Sequence, residues 1–346
     1  MSLFKKSLLL AHVLLTATTL LAYLTPSVDP IKFWPLSIIG LFMPWLLLLQ
    51  IVFFVYWIYL RKWYSLISVA VWIIGWPLIQ CFVNLNSTQD ISDASSFSVM
   101  SYNVHYLQGL GAYSARNYQE TKESIVPFLK EQGPPSILCA QESHQKASEF
   151  LRKSLDYQYT ASNNGAIFNT IFSKLPIRKS GEINLGSSSS SGIWADIEFE
   201  KETYRVFNIH LESNRVSQKA QDLMTPDDVR QSLLSGFKFM FRRYRNAARK
   251  RSLQAREIEK MIQASPHKVI VCGDFNDPPQ SYAYGIISKG LSDAFEVAGS
   301  GIGTTYGGII PGLKIDYILT DPSLDILDHR ILKEKYSDHY PVISNI

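Results

Sequence analysis

Asp, Glu, Lys and Arg are missing from three stretches of this chain, residues 7–24, 33–60 and 64–83. Each stretch is apolar and close to the ~20 residues that a helix needs to cross a bilayer core. His12 is the one basic side chain within them and lies near an end. Spans without an intramembrane charge offer no ion path, which sets aside a transporter or channel. Cysteine is scarce as well: three residues build no disulfide framework. Cys81 lies in the apolar N-terminal part, whereas Cys139 and Cys272 sit in strand-like runs that suit a small buried hydrophobe. The redox compartment is therefore unmarked. Charge of one sign is not in large excess either, and a net +4 says little about nucleic acid.

What is present falls into two parts. Three spans are the expected count for the apolar part, with Trp34, Trp57, Tyr59, Trp63 and Tyr64 near their ends, as an interfacial belt requires. Pro44 and Pro77 would kink these helices without excluding them. A cleaved signal peptide is the alternative for the first span, but the surroundings of Thr25-Pro26 offer no clear small-residue cleavage site. Lys5-Lys6 and Arg61-Lys62 flank the spans on one side and place it in the cytoplasm. With three spans, everything after Asn84 then lies outside the cytoplasmic membrane. Losing one span reverses that inference. The expected division is a membrane anchor at 1–84, a polar linker at 85–96 and one catalytic domain at 97–346. Asn86-Ser87-Thr88 within the linker is formally a glycosylation acceptor.

In the second part, strand after strand ends on a residue able to bind a metal or a phosphate. The apolar run Val269-Ile270-Val271-Cys272 delivers Gly273-Asp274-Phe275-Asn276-Asp277 to a turn that Pro278-Pro279 stiffens. Period-two alternation puts Asp274 and Asn276 on one side of the backbone. A carboxylate beside a carboxamide suits a hard cation and the phosphate oxygen it polarises. Alone, the segment reads equally as an Asx-rich turn. Asn103, Glu142, His210, Asp316, and Asp338 with His339 close five further strand-like runs or adjoin them. The run of serines at 187–191 reads as a solvated loop, and residues 166–172 as a strand.

The motifs SYNVH, QE, NTIFSKLPI, NIHLES, GDFND, KIDYIL and SDHYPV, in this order, resemble the endonuclease/exonuclease/phosphatase superfamily. The resemblance spans residues 97–346. It implies an α+β fold, a four-layer α/β/β/α sandwich of two mixed sheets (DNase I-like), preceded here by three transmembrane helices. It also implies a Mg2+-dependent phosphoesterase, with Mn2+ as the alternative ion. Glu142 resembles the family's metal-binding glutamate, with Asn103 and Asp338 completing the oxygen shell. Asp274 resembles the aspartate that activates water, and Asn276 the residue that holds the phosphate. His339 would contact the scissile phosphate with its ring set by Asp316, and His210 would be a phosphate ligand or leaving-group acid. Lys314 stands where many relatives carry Arg and would supply a cation near the phosphate.

One segment exceeds what the resemblance requires. Between Asp227-Asp228 and a helix expected at 253–261, Leu233, Leu234, Phe237, Phe241 and Tyr244 follow helical spacing. Lys238, Arg242, Arg243, Arg245, Arg249, Lys250 and Arg251 accompany them without an intervening acid. Such a helix either lies in a membrane interface or packs on the domain with a solvated basic face. The expected partners are the lipid bilayer and a phosphate ester: a lipid headgroup, a small phosphodiester or nucleic acid. No protein partner is implied. A nuclease outside the cytoplasm and an inactive membrane-tethered binding module are the alternatives, and the completeness of the site argues against the latter.

Overall fold

The second part of the chain is organised by two six-stranded sheets. In the computed structural model, which describes residues 2–85, 96–107, 118–164, 168–187, 190–214, 229–308 and 312–346, the first sheet has the order β13-β14-β2-β3-β5-β4. These are Asp328–Ile331, Val342–Asn345, Ser98–Asn103, Ile137–Gln141, Thr170–Ser173 and Tyr159–Ser162. The second has the order β10-β12-β9-β8-β7-β6: Ser292–Asp293, Asp316–Thr320, Lys268–Asp274, Glu202–His210, Ser191–Phe199 and Ile177–Ile183. Only β2 with β3 and β8 with β9 run parallel among the described pairs, so both sheets are mixed.

Alternation along each central strand builds the layers. Val99, Cys139, Val206, Ile270 and Cys272 point into the core between the sheets. Their neighbours Met100 and Leu138 face the opposite way, onto helices α5 (Tyr118–Glu131) and α6 (Gln145–Ser154). On the other outer face, Phe207, Val269 and Val271 pack with Ala255 and Ile258 of α7 (Val229–Gln263) and with Ala283 and Ile287 of α8 (Tyr282–Ile287). Strands covered on both faces read as continuous apolar runs. The result is the expected α/β/β/α sandwich. Helix α7 joins the basic segment and the helix expected at 253–261 in one element of 35 residues.

The core between the sheets is not wholly apolar. Asn208 of β8 donates from Nδ2 to the carbonyls of Ala140 (2.9 Å) and Thr170 (3.0 Å) on the facing sheet. Its Oδ1 accepts from Gln141 Nε2 at 2.8 Å, and Gln141 also donates to Ser101 Oγ. Both amides are fully buried. They act as pegs that fix one sheet against the other. Gly273 makes a second close approach: with φ +154, a Cβ there would stand 2.0 Å from the Ile209 carbonyl oxygen.

The apolar part folds as α1 (Leu3–Ala22), α2 (Pro30–Leu41), α3 (Met43–Tyr59) and α4 (Ser65–Gln80). Here the expectation of three transmembrane helices is corrected. Among the described residues one helix, Leu3–Ser27 with its terminal 3-10 turn, is long and apolar enough by itself to cross a membrane. The second stretch is broken into α2 and α3, bent by 47°, and counts as a span only if the pair is taken together. Phe42 leaves helical geometry there, and Pro44 stands in the first turn of the new helix, where its missing N–H costs nothing. The third is shorter, at 16 residues. The outward placement of the catalytic domain, which rested on the count of three, loses its ground with it.

This helical part is bound to the sandwich. Asp29 accepts from Ser252 Oγ (2.8 Å) and pairs with Arg256, both on α7. Gln280 donates to the Gly40 carbonyl at 2.9 Å. Strand β1 (Val83–Leu85) pairs with β11 (Ser300–Ile302). Most of the expected linker and its glycosylation acceptor, Asp227-Asp228, and the start of the strand expected at 166–172 lie outside the described residues. That strand is observed as Thr170–Ser173, and the serine run passes into β7 at Ser191.

Replacing Asn208 by Leu, of similar size, takes the Asn208 donor from two buried carbonyls, those of Ala140 and Thr170, at roughly 1–3 kcal/mol each, while Gln141 Nε2 keeps Ser101 Oγ and the Cys139 carbonyl. The thermal midpoint of the detergent-solubilised chain is expected to fall accordingly. An unchanged midpoint would show that the pegs do not hold the sheets.

Candidate active site

Register brings the chemistry-bearing residues to one end of both sheets. His210 pairs with Asp274 across the parallel β8–β9 ladder, and Asp274 with Asp316 across the antiparallel β9–β12 ladder. On the facing sheet Asn103 stands opposite Gln141, one residue before Glu142. The loop ahead of β14 adds Asp338 and His339, held by Ser337, whose Oγ donates to the Asn103 carbonyl at 2.8 Å. Glu142 (φ 50) and Asn276 (φ 51) adopt left-handed backbone conformations that cost a non-glycine residue energy. Both turns aim a side chain into the cluster.

Asp274 is its hub. Oδ2 accepts from Asn103 Nδ2 at 3.0 Å and from Asn276 Nδ2 at 3.3 Å, while Oδ1 accepts from the Asn276 N–H at 2.8 Å. The same Oδ2 lies 3.5 Å from His210 Nε2 and 3.7 Å from His339 Nε2. His339 Nδ1 donates to both oxygens of Asp316, at 3.1 and 3.0 Å. The imidazole thus stands between two carboxylates, with the Tyr306 ring edge-on against it. His210 Nε2 also faces Glu142 Oε1 at 3.4 Å, whereas its Nδ1 is buried without a hydrogen-bond partner among the described residues. A neutral ring would therefore carry its proton on Nε2, toward the carboxylates, and the charged ring keeps that proton. The 3.2 Å approach of Asn276 Nδ2 to that nitrogen is then a contact, since Asn276 donates to Leu211 O and Asp274 instead.

Burial alone would disfavour every charge here, and partners reverse this for three of four groups. Burial would raise the Asp274 carboxyl, but the two histidines and the Asn103 amide bring it below the usual range. His339 and His210 lose solvation yet are raised by the adjacent carboxylates, so both favour the protonated form. Asp316 is the exception: burial outweighs its histidine and lifts its carboxyl above the usual value.

Glu142 and Asp338 differ from this saturated group. Their side chains keep 19% and 23% exposure, and the cationic partners nearest them are histidines at 3.4 and 3.7 Å, too distant for tight ion pairs. Two loosely paired carboxylates beside a buried cluster fit a hard divalent cation bound through oxygen. The donor atoms of Asp274, Asp316 and His339 also lie within 4.8 Å of one another. Those carboxylates, however, are already engaged by N–H groups. Asn103 is likewise committed at both ends, since its Oδ1 accepts from the His105 N–H.

Lys314 is the sequence-predicted residue that is not brought to the cluster. It is buried against Asp293, Nζ to Oδ2 2.7 Å, with the Phe295 and Tyr317 rings around it. Sequence reasoning also missed residues that hold the site. Arg251, expected among the basic-face residues, is fully buried and pairs with Asp277 of GDFND: Nη2 donates to Oδ1 at 3.0 Å, and Nε lies 2.9 Å from Oδ2 as an ion-pair contact without hydrogen-bond geometry. Its Nη1 donates to Glu212 O and to Asn214 Oδ1, and Asn214 donates to Asn276 O. The available signal was position: Arg251 lies three, four and seven residues from Ala248, Ala247 and Tyr244, on the buried stripe of α7.

A four-layer sandwich that gathers imidazoles, carboxylates and carboxamides at paired strand ends defines a class of hydrolases acting on phosphoesters. The sequence matches the Endonuclease/Exonuclease/phosphatase family over residues 100–339, and the chain belongs to that family. Residues 5–82 match a family described only as a domain of unknown function. No curated protein matches the chain. Among solved structures, a mannosyl-6-phosphatase of Bacteroides thetaiotaomicron is 17% identical with a TM-score of 0.54, covering 72% of this chain and 100% of that one. The human Nocturnin catalytic domain with bound sulfate is 18% identical with a TM-score of 0.55, covering 74% and 96%. D. rerio TDP2 complexed with a single-strand DNA product is 16% identical with a TM-score of 0.53, covering 73% and 99%. At these identities the likeness is one of fold.

Asp316 holds the His339 ring and favours its charged form. In Asp316→Asn, burial acts against that charge with one carboxylate fewer, and the His339 titration, followed by NMR of labelled imidazole, is expected to move to lower pH. A titration that stays in place would remove Asp316 from this role.

Proposed function

We propose that the chain is a metal-dependent phosphoester hydrolase that works at a membrane. The observation that carries the chemistry is the convergence on Asp274: two carboxamides and two imidazoles around one buried, ionised carboxylate. Asp274 takes a proton from the attacking water. His339, protonated and oriented by Asp316, places positive charge where the phosphoryl oxygens gain negative charge. His210 presents its Nε2 proton to a phosphoryl or leaving oxygen. Asn276 and Asn103 fix the Asp274 carboxylate, and Asn276 reaches the phosphate only by giving up one of those bonds. Glu142 and Asp338 are the residues that would hold Mg2+ or Mn2+, an ion that neutralises charge on the phosphate and the departing oxygen. Lys314 has no part in this scheme.

The membrane half of the reading is supported by the inverted polarity of the N-terminal helices. Leu14, Leu48, Val52, Val55, Ile58 and Ile73 are exposed, whereas His12, Thr19, Gln50 and Ser68 are buried. His12 accepts from Trp57 Nε1 through Nδ1 and meets Gln50 and Ser68 through Nε2, each at 3.0 Å. Apolar outside with a satisfied polar centre is the arrangement lipid favours. The bond from Gln280 to Gly40 joins this unit to the loop that follows GDFND, so the site would work near the bilayer. A lipid headgroup or small phosphodiester fits that placement. Cleavage of nucleic acid is the alternative, and the same assay tests it.

The purified full-length chain is expected to hydrolyse at least one of a lipid phosphodiester, an aryl phosphodiester and an oligonucleotide, with loss of activity in EDTA and recovery with Mg2+ or Mn2+. Asp274→Asn and His339→Gln should each lower turnover by roughly 10²–10⁴-fold while the thermal transition is retained. Undiminished hydrolysis in either variant would overturn the assignment.

A further inference from the structure

The basic segment of α7 is not used by the chemistry proposed above. Its arginines and lysines divide into two groups. Lys250, Arg251 and Arg256 are paired with Glu212, Asp277 and Asp29. Lys238, Arg242, Arg243, Arg245 and Arg249 have no carboxylate within ion-pair distance among the described residues. Lys238, Arg242, Arg245 and Arg249 recur at steps of four, three and four, and therefore share one helix face. Tyr244, Ala247, Ala248 and Arg251 form the opposite, buried face. The fold has separated cations that hold the domain together from cations directed away from it.

That outward stripe lies beside the apolar helices. Asp29, at the start of α2, meets Ser252 and Arg256, and Trp34 further along meets Arg245, whose guanidinium lies 5.6 Å from the ring. The two helices therefore run antiparallel, and the basic face begins where α2 carries its tryptophan. Phe241, 39% exposed, stands among the cations. Next to the stripe, Phe239, Arg242, Arg243 and Asn246 line an open cleft of about 300 Å³, with the Arg243 guanidinium over the Phe239 ring at 5.2 Å. Two guanidinium groups, a carboxamide and an aromatic ring lining one cleft match a phosphate joined to an apolar body.

We propose that this face of α7, from Lys238 to Arg249, binds the phosphates of anionic lipids in the bilayer that holds α1–α4. The assignment rests on the membrane placement proposed above and is independent of the hydrolytic chemistry. A nucleic acid would meet the same charges and could stack a base on Phe241, but it would gain nothing from the neighbouring apolar helices. Lipid satisfies both. Bound there, the headgroups would set the height of α7 at the interface. Arg251, a few residues further along the same helix, fastens it to Asp277 beside the candidate site.

The test uses the full-length chain in neutral detergent micelles, titrated with fluorescent phosphatidylglycerol, with phosphatidylcholine as the zwitterionic control. Each surface cation contributes about fivefold to such attraction. Arg242→Gln with Arg249→Gln is therefore expected to weaken phosphatidylglycerol binding by about 25-fold, while Lys260→Gln, outside the stripe, leaves it unchanged. Inorganic phosphate at the same concentration should not compete. Equal affinity for the two lipids, unchanged binding in the double variant, or loss of oligonucleotide binding with lipid binding intact would each overturn the proposal. The double variant should hydrolyse a soluble aryl phosphodiester as the parent does, and Asp274→Asn should bind phosphatidylglycerol normally. Failure of the hydrolytic reading and failure of this one are thus read separately.

Discussion

The candidate site depends on two sheets being held in one alignment, because neither sheet contains it. Asn103 and Glu142 come from one sheet, and His210, Asp274 and Asp316 from the other. An apolar interface alone is tolerant of sliding, since hydrophobic contact is non-directional. The buried amides of Asn208 and Gln141 are directional. They bond across the interface a short distance behind the site, and the Asn103–Asp274 bond continues the same seam into it. A slip of one sheet would break these bonds before it altered much apolar burial. The polar groups between the sheets therefore set geometry, while the surrounding apolar residues supply the stability.

Within the site, burial and charge act against each other on every group. Taking a carboxylate out of water is costly unless cations or N–H groups replace the water. Asp274 has such partners on several sides and stays ionised; Asp316, with one histidine, is held less firmly in that form. This asymmetry distinguishes two aspartates that face each other across one ladder. In the proposed scheme it keeps Asp274 in the ionised form that can accept a proton, and leaves Asp316 to orient His339. In the same proposed scheme Glu142 and Asp338, partly exposed and loosely paired, are the carboxylates left for a cation.

The N-terminal helices solve a different problem with the same rules. Their polar groups are collected around His12 in the middle of the bundle, and their apolar side chains face outward. The sandwich does the reverse. The two parts meet through Asp29, Gln280 and the β1–β11 pair, where polar groups of one are satisfied by the other.

Much of this was legible in the chain itself. Continuous apolar runs such as Val269–Cys272 mark strands covered on both faces, and the order of strand-end residues marks both the family and the site. Local pattern carries that information because strand periodicity and turn chemistry act over a few residues. Other features were not legible. Lys314 and Arg251 are both basic residues next to site motifs. One is drawn into an ion pair with Asp293, the other onto Asp277, and no local pattern separates these outcomes from solvent exposure. The break at Phe42 is similarly hidden, because apolar composition sets how much lipid-like surface a segment has and not whether it stays one straight helix. Local pattern alone was enough to mark most of the strands, the segments that are apolar throughout, and the strand-end side chains that gather at the site. Which charges pair, which aspartate is the more firmly ionised and where the two sheets align emerge from the folded chain. Those outcomes depend on distances between residues far apart in the chain, and electrostatic and hydrogen-bond energies change steeply over an ångström.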